Sequence, residues 1–275
     1  MTTTTSLRTS RARITPAHGM KDMLVITRRN LLRVVRMPQL LLFSTVQPVM
    51  FLLLFNYVFG GAIAGAQVDN YINFLLPGIL VQTMVFGATN TATGLTEDLA
   101  AGVIDRFRSL PMARSAVMAG RTLADLVRST LVNTLMVFVG FLIGFRPEGL
   151  PELLLGMLVA LLFGYAMSWV FATVGLFAKV PEAAQSASFL IVFPLVFASS
   201  VFVPTQSMPG WLQAFAEHQP VSVVANTVRG LVFGGQVLPP GQTIESLLFR
   251  SALWIIVILA VFVPIGIRLY RRAVS

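Results

Sequence analysis

The sequence predicts an all-α polytopic membrane protein with six transmembrane helices, and three observations carry that prediction. Hydrophobic residues make up 56% of the 275 and charged residues only 11%, against about 25% charged in ordinary soluble domains. The apolar residues gather into runs of the length, about 20 residues, that a helix needs to cross a bilayer. The remaining charges fall almost entirely between those runs, in short connectors and in one longer segment from Thr96 to Arg128. Cysteine is absent and only 2 histidines are present, which removes disulfides, thiolate nucleophiles and thiolate metal sites from consideration.

Residues 1–36 contain no apolar core of signal-peptide length, so the N-terminus is expected to stay on the chain. Residues 1–19 read as a disordered tail that opens rich in Thr, Ser and Arg. From Met20 to Arg36, Leu24, Leu31, Leu32 and Val35 share a helix with Arg28, Arg29, Arg33 and Arg36. That pattern predicts a basic interfacial helix lying along the lipid headgroups and entering the first span.

The first span, Leu40 to Phe59, carries no charge, and Gln47-Pro48 is expected to bend it because Pro48 removes a helix hydrogen bond. The second, Asn73 to Leu95, holds Gln82, Thr83, Asn90 and Thr93, too many polar groups to face lipid. The third, Leu123 to Phe145, opens beside Arg121, Asp125 and Arg128, where both arginines are expected to neutralise the aspartate along one helix face. The fourth covers Leu153 to Phe177, and Lys179-Val180-Pro181-Glu182 turns the chain into the fifth, Ala183 to Val203, with Gln185 in its first half. The sixth, Ser251 to Ile267, ends on Arg268, Arg271 and Arg272, leaving residues 273–275 as a short tail. Gln47, Gln82, Thr83, Asn90 and Gln185 are candidates for lining a pathway, and buried helix packing serves each of them equally well.

Six spans put both termini on one side, and charge says which. Of the 20 lysines and arginines, all but Arg146, Arg229 and Arg250 fall on the side of the N-terminus. The positive-inside rule makes that side cytoplasmic, in a cell (plasma or inner) membrane. The net charge of +9 is therefore a topology signal, and no nucleic-acid partner is called for.

The long charged segment carries Leu99, Val103, Phe107 and Leu110 in steps of four, four and three, one stripe of a helix that Pro111 ends. Asp98, Asp105 and Arg108 lie off the stripe and Arg106 within it. Periodicity alone fits two placements, afloat among the headgroups or docked on a partner. The run Gly102, Asp105, Arg106, Phe107, Arg108, Ser109, Leu110, Pro111, then Arg114, Gly120, Arg121 and Asp125, resembles the first cytoplasmic loop of ABC-2 type permeases, particularly the daunorubicin-resistance type. The resemblance implies that this is a coupling helix fitting a cleft on a separate ATPase subunit, with Leu99, Val103, Asp105, Arg106, Phe107, Arg108, Pro111 and Arg114 as contacts.

Between the fifth and sixth spans, Pro209-Gly210-Trp211 opens one short helix and Pro220 another, the second stopped by Gly234-Gly235. Neither is long enough to cross, so the pair is either re-entrant or laid on the outer leaflet. Phe202, Pro204, the run Met208 to Leu212, the run His218 to Ser222, and Arg229-Gly230 resemble the external re-entrant hairpin of the same permeases. Trp211, Glu217, His218 and Arg229 are candidates for an external gate. Glu217-His218 has no nucleophile or second histidine nearby to make it catalytic, and Trp211 reads first as an interfacial anchor.

No GxxxxGK[ST] phosphate loop is present, and no charge lies near the middle of a span, where ion-coupled carriers usually need one. The resemblance extends from about Arg28 to Arg272 and implies an ABC-2 type transmembrane domain over residues 20–272. Such a chain is a non-catalytic permease subunit of an ABC exporter for a hydrophobic or amphiphilic cargo. Its partners would be a P-loop ATPase that holds ATP and Mg²⁺, a second permease copy or homologue, and membrane lipid. No cofactor or metal is expected on this chain itself. The competing class is a self-contained channel or ion-coupled carrier.

Overall fold

An apolar run with polar residues on several faces cannot hide them in lipid, so within a bundle it belongs at the centre. The computed structural model, which describes residues 16–36, 38–61, 71–101, 114–239 and 241–273, places the second predicted span there. Among the described residues the regular structure is helical with no strand, and nine α-helices follow in the order α1 (Pro16–Arg36), α2 (Pro38–Leu54), α3 (Tyr71–Ala100), α4 (Arg114–Leu142), α5 (Leu150–Ala178), α6 (Pro181–Phe197), α7 (Gly210–His218), α8 (Pro220–Phe233) and α9 (Ile244–Ala273). A π-helical turn, Phe55–Phe59, carries α2 onward to Gly61, and the helix passes through Pro48 without ending.

Four of these helices contain stretches long and apolar enough to cross a membrane: Tyr71–Ala100, Ala119–Leu142, Leu150–Ala178 and Ile244–Arg272. They correspond to the predicted second, third, fourth and sixth spans. Ser44–Phe59 and Pro181–Phe197, the counterparts of the predicted first and fifth, are shorter apolar helices, as is Pro220–Phe233.

α3 packs most extensively against α5 and also touches α2, α4, α6 and α8. Leu75, Leu76, Ile79, Leu80 and Met84 of α3 are fully buried, with Phe163 and Phe171 of α5 beside them in one core. At the periphery, α9 leans on α5 and α8 and leaves Phe249, Leu253, Ile256 and Val261 exposed. So large an apolar surface suits lipid and not water.

Several boundaries differ from the expectation: α4 runs Arg114–Leu142 and α9 Ile244–Ala273, each starting earlier than the predicted span, and three others differ as well. α3 runs unbroken past Leu95 to Ala100, so Leu99 closes the central helix instead of opening a separate one. Thr96 turns its hydroxyl back onto the carbonyls of Ala92 and Thr93 and continues the helix. Leu99 then packs on a second apolar cluster around Trp169, Leu176 and Tyr270. α6 stops at Phe197, six residues short of Val203, soon after Pro194. The basic helix α1 starts at Pro16, before the expected Met20, while the expected tail residues 1–15 lie outside the described residues.

The turn between α5 and α6 forms where the sequence sets it. Lys179 takes the left-handed conformation at φ 62° and returns its N–H to Gly175 O, and Pro181 then opens α6 in the first turn, where its missing N–H costs nothing.

Burial should separate two phenylalanines of similar chemistry. Phe163→Ala, at a site with no exposure, is expected to lower stability by about 3 kcal/mol or more. Phe249→Ala, at a site 70% exposed, should stay within about 0.5 kcal/mol, and thermal unfolding in detergent micelles compares them.

Candidate functional site

Polar side chains on neighbouring helices converge when each helix must hide them from lipid. A cavity of about 260 Å³ lies among α2, α3, α4 and α6, and the five residues singled out by polarity, Gln47, Gln82, Thr83, Asn90 and Gln185, all line it. Phe51, Phe86 and Phe189 supply an apolar wall. The hydroxyl protons of Thr83, Thr89 and Thr93 are spent within α3, on Ile79 O at 2.8 Å, Phe86 O at 2.7 Å and Thr89 O at 3.4 Å. Their oxygens keep lone pairs free to accept. Gln82 Oε1 is buried without a partner among the described residues.

Arg128 also lines the cavity, a residue the sequence assigned to an ion triad. Its Nη2 donates to Gly87 O at 3.3 Å and stands 3.7 Å from Asp125. Asp125 Oδ2 accepts from Thr91 at 2.7 Å. The expected triad is divided, because Arg121 pairs with Asp98 of α3 at 2.6 Å and not with Asp125.

A second site lies where α6 stops. A helix end leaves carbonyls without partners, and in a low-dielectric interior they must find donors. Gln219 serves the last turn of α6, and Arg229 of α8, 1% exposed, serves the segment just beyond it and α3. Its Nη2 donates to Ser200 O at 2.6 Å and Val201 O at 3.1 Å, and its Nε to Phe74 O at 2.8 Å. Nη1 reaches Asn226 Oδ1 at 2.7 Å and Ser200 Oγ at 3.2 Å, and the guanidinium lies 3.7 Å from the centre of the Phe74 ring. Tyr71 donates to Phe202 O at 2.8 Å, and Gln219 Nε2 to Leu195 O at 2.9 Å. Among the described residues Arg229 pairs with no carboxylate. The close approach of α3 to this knot needs Gly78, where an added Cβ would stand 2.5 Å from Val201 O and 2.8 Å from Arg229 Nη2.

The other external-gate candidates sit apart from Arg229, on α7. Trp211 is 76% exposed. Glu217 Oε1 accepts from Gln213 at 2.8 Å and Thr205 at 3.3 Å, while His218 Nδ1 meets Ala214 O at 2.9 Å. Neighbours in sequence, the two side chains use separate partners. Among the described residues no group of three or more His, Asp or Glu could hold a metal ion.

Comparison with known proteins decides the family: residues 21–233 match the ABC-2 type transporter family. The chain belongs to it. This ABC-2 protein is 39% identical over 236 residues to the Daunorubicin resistance ABC transporter permease protein DrrB1 of Streptomyces coeruleorubidus, covering 86% of this chain and 81% of that one. It is 31% identical over 231 residues to the Probable doxorubicin resistance ABC transporter permease protein DrrC of Mycobacterium tuberculosis (strain CDC 1551 / Oshkosh), covering 84% and 81%. With its long apolar helices the ABC-2 chain is a membrane protein.

The family match includes the segment expected to meet an ATPase. Val103, Asp105, Arg106, Phe107, Arg108 and Pro111 lie outside the described residues, which resume with Arg114 at the start of α4. Of the coupling candidates, Leu99 and Arg114 therefore mark the helix ends that flank it.

The knot at Arg229 sets a clear expectation. Arg229→Ala strands several buried carbonyls and should cost about 3 kcal/mol or more in stability. Arg229→Lys, a single ammonium in place of a planar fork, should recover only part of that, as read from thermal unfolding midpoints.

Proposed function

We propose that this chain is the membrane-spanning permease subunit of an ATP-driven ABC exporter. It moves a hydrophobic or amphiphilic cargo, drug-like or lipid-like, out of the cytoplasm or inner leaflet. The observation that carries this reading is the cavity among α2, α3, α4 and α6, with amides and hydroxyls beside Phe51, Phe86 and Phe189. Such a lining suits a molecule with a polar and an apolar part. Gln47, Asn90 and Gln185 line it and are exposed on the single chain. Exposed amides on membrane helices call for a polar neighbour, and a second permease copy or homologue takes that place.

The energy comes from a separate P-loop ATPase, which holds ATP and Mg²⁺, because this sequence has no phosphate loop. Contact runs through Val103, Asp105, Arg106, Phe107, Arg108 and Pro111, between Leu99 and Arg114. In the membrane, α2, α3, α4, α5, α6 and α9 are the six spans, with both termini and residues 102–113 cytoplasmic, as the arginine distribution requires. α7 and α8 form the external hairpin. Side chains of Arg229 and Gln219 satisfy carbonyls around it, which supports a position buried in protein. Arg229 anchors this hairpin, and Trp211, Glu217 and His218 form its outer rim.

The test is reconstitution of the chain with its ATPase subunit in proteoliposomes, with daunorubicin as the fluorescent probe. Asp105→Ala, Arg106→Ala and Arg108→Ala combined should lower ATP-driven uptake by about tenfold or more while membrane insertion persists. Unchanged uptake, or ATP-independent currents from the chain alone, would contradict the reading.

A further inference from the structure

The junction of α1, α3 and α4 holds an arrangement that the cavity does not require. Asp98, close to the end of α3, accepts from Arg121 Nη1 of α4 at 2.6 Å and from Arg29 Nη2 of α1 at 3.3 Å. One carboxylate thereby ties together three helices, two of which are the helices flanking residues 102–113. The local backbone is shaped around this contact. The Arg121 guanidinium lies over Gly94, where an added methyl would fall on it. One residue before Arg121, the carbonyl of Gly120 accepts from Thr27 of α1 at 3.0 Å.

The Asp98 and Arg121 side chains are only 15% and 13% exposed, so solvent screens them weakly, and a 2.6 Å charge-assisted bond is at the short end for such pairs. Arg121 Nε is nevertheless buried with no partner among the described residues. A largely buried ion pair that leaves a donor unsatisfied is a poor source of net stability. Its value lies in where it holds the helices.

We propose that Asp98 is a positioning residue for energy coupling. With Arg121 and Arg29 it clamps α1 to the two helix ends around residues 102–113, so that a push delivered there moves α1, α3 and α4 as one body. The proposal rests on the coupling reading above and adds α1 to the moving part. Because α3 is continuous from Asp98 to Asn90, Thr83 and Gln82, displacement of the clamp reaches the cavity wall through unbroken helix.

Absence of cysteine allows spin labels at Val25→Cys on α1 and Val127→Cys on α4, which are 62% and 37% exposed. Distances are read by double electron–electron resonance in nanodiscs, first on the chain alone and then with the ATPase subunit, without nucleotide and with ADP-vanadate. The otherwise unaltered chain should give one narrow distance that is the same in every state. Asp98→Asn should broaden it, and so should Gly94→Ala, which keeps every charge but evicts Arg121. Both should lower daunorubicin transported per ATP hydrolysed by about fivefold or more, with the ATPase subunit still bound. Arg121→Lys, which keeps one charged donor for Asp98, should retain the narrow distance. An unchanged distance and unchanged transport per ATP in Asp98→Asn would overturn the proposal. A variant that only lowers the yield of folded protein, with coupling per molecule intact, would overturn it as well. If the unaltered chain transports nothing with an ATPase bound, the coupling reading fails instead, while the distances on the chain alone still decide the clamp.

Discussion

The structure depends on how the backbone is satisfied where α6 stops. A helix that ends inside a bundle leaves carbonyls with no water to turn to, and each unsatisfied one costs about 1 to 3 kcal/mol. Arg229 answers with a planar fork that takes carbonyls from two segments, Phe74 of α3 and Ser200 and Val201 beyond α6. An arginine with no carboxylate partner among the described residues is tolerable here because carbonyl dipoles and the Phe74 face surround its charge. Fixing this knot fixes α8 against α3, and Gly78 sets how close they come.

From that knot the central helix carries the remaining features in sequence. Tyr71 and Gly78 belong to the knot, Gln82 to Thr93 form a wall of the cavity, and Asp98 holds the junction with α1 and α4. At about 1.5 Å per residue, the 30 residues of α3 span roughly 45 Å, longer than the hydrocarbon core of a bilayer. One rigid element thus connects a clamped end, an amphiphilic cavity and a capped break. That is the layout expected of a part that is moved from one end and opens or closes at the other.

Much of this was legible in the sequence, because polarity inside an apolar run is a strong signal. Gln47, Gln82, Thr83, Asn90 and Gln185 stand out on that ground alone, and they meet around one cavity. The misreadings occurred where a local rule lost to tertiary packing. The stripe that begins at Leu99 reads as a separate helix, yet Thr96 bonds back into its own helix and α3 continues through Leu99. Spacing along one helix favoured Arg121 with Asp125, but the Asp98 carboxylate lies closer in space. Arg229 stands out in the sequence as an outer-side charge and an external-gate candidate, not as a buried backbone cap. Its partners are mostly backbone carbonyls, which leave no signature in side-chain pattern.

The central claim is that this chain is driven from the cytoplasmic side, at residues 102–113, while the capped hairpin belongs to the opposite side. Single cysteines placed at Arg106 and Trp211 in the cysteine-free chain, labelled with a membrane-impermeant maleimide, test it most directly. Trp211→Cys should label in intact cells and Arg106→Cys only after the membrane is opened. Labelling of Arg106→Cys in intact cells, or of both positions from one side, would contradict the account.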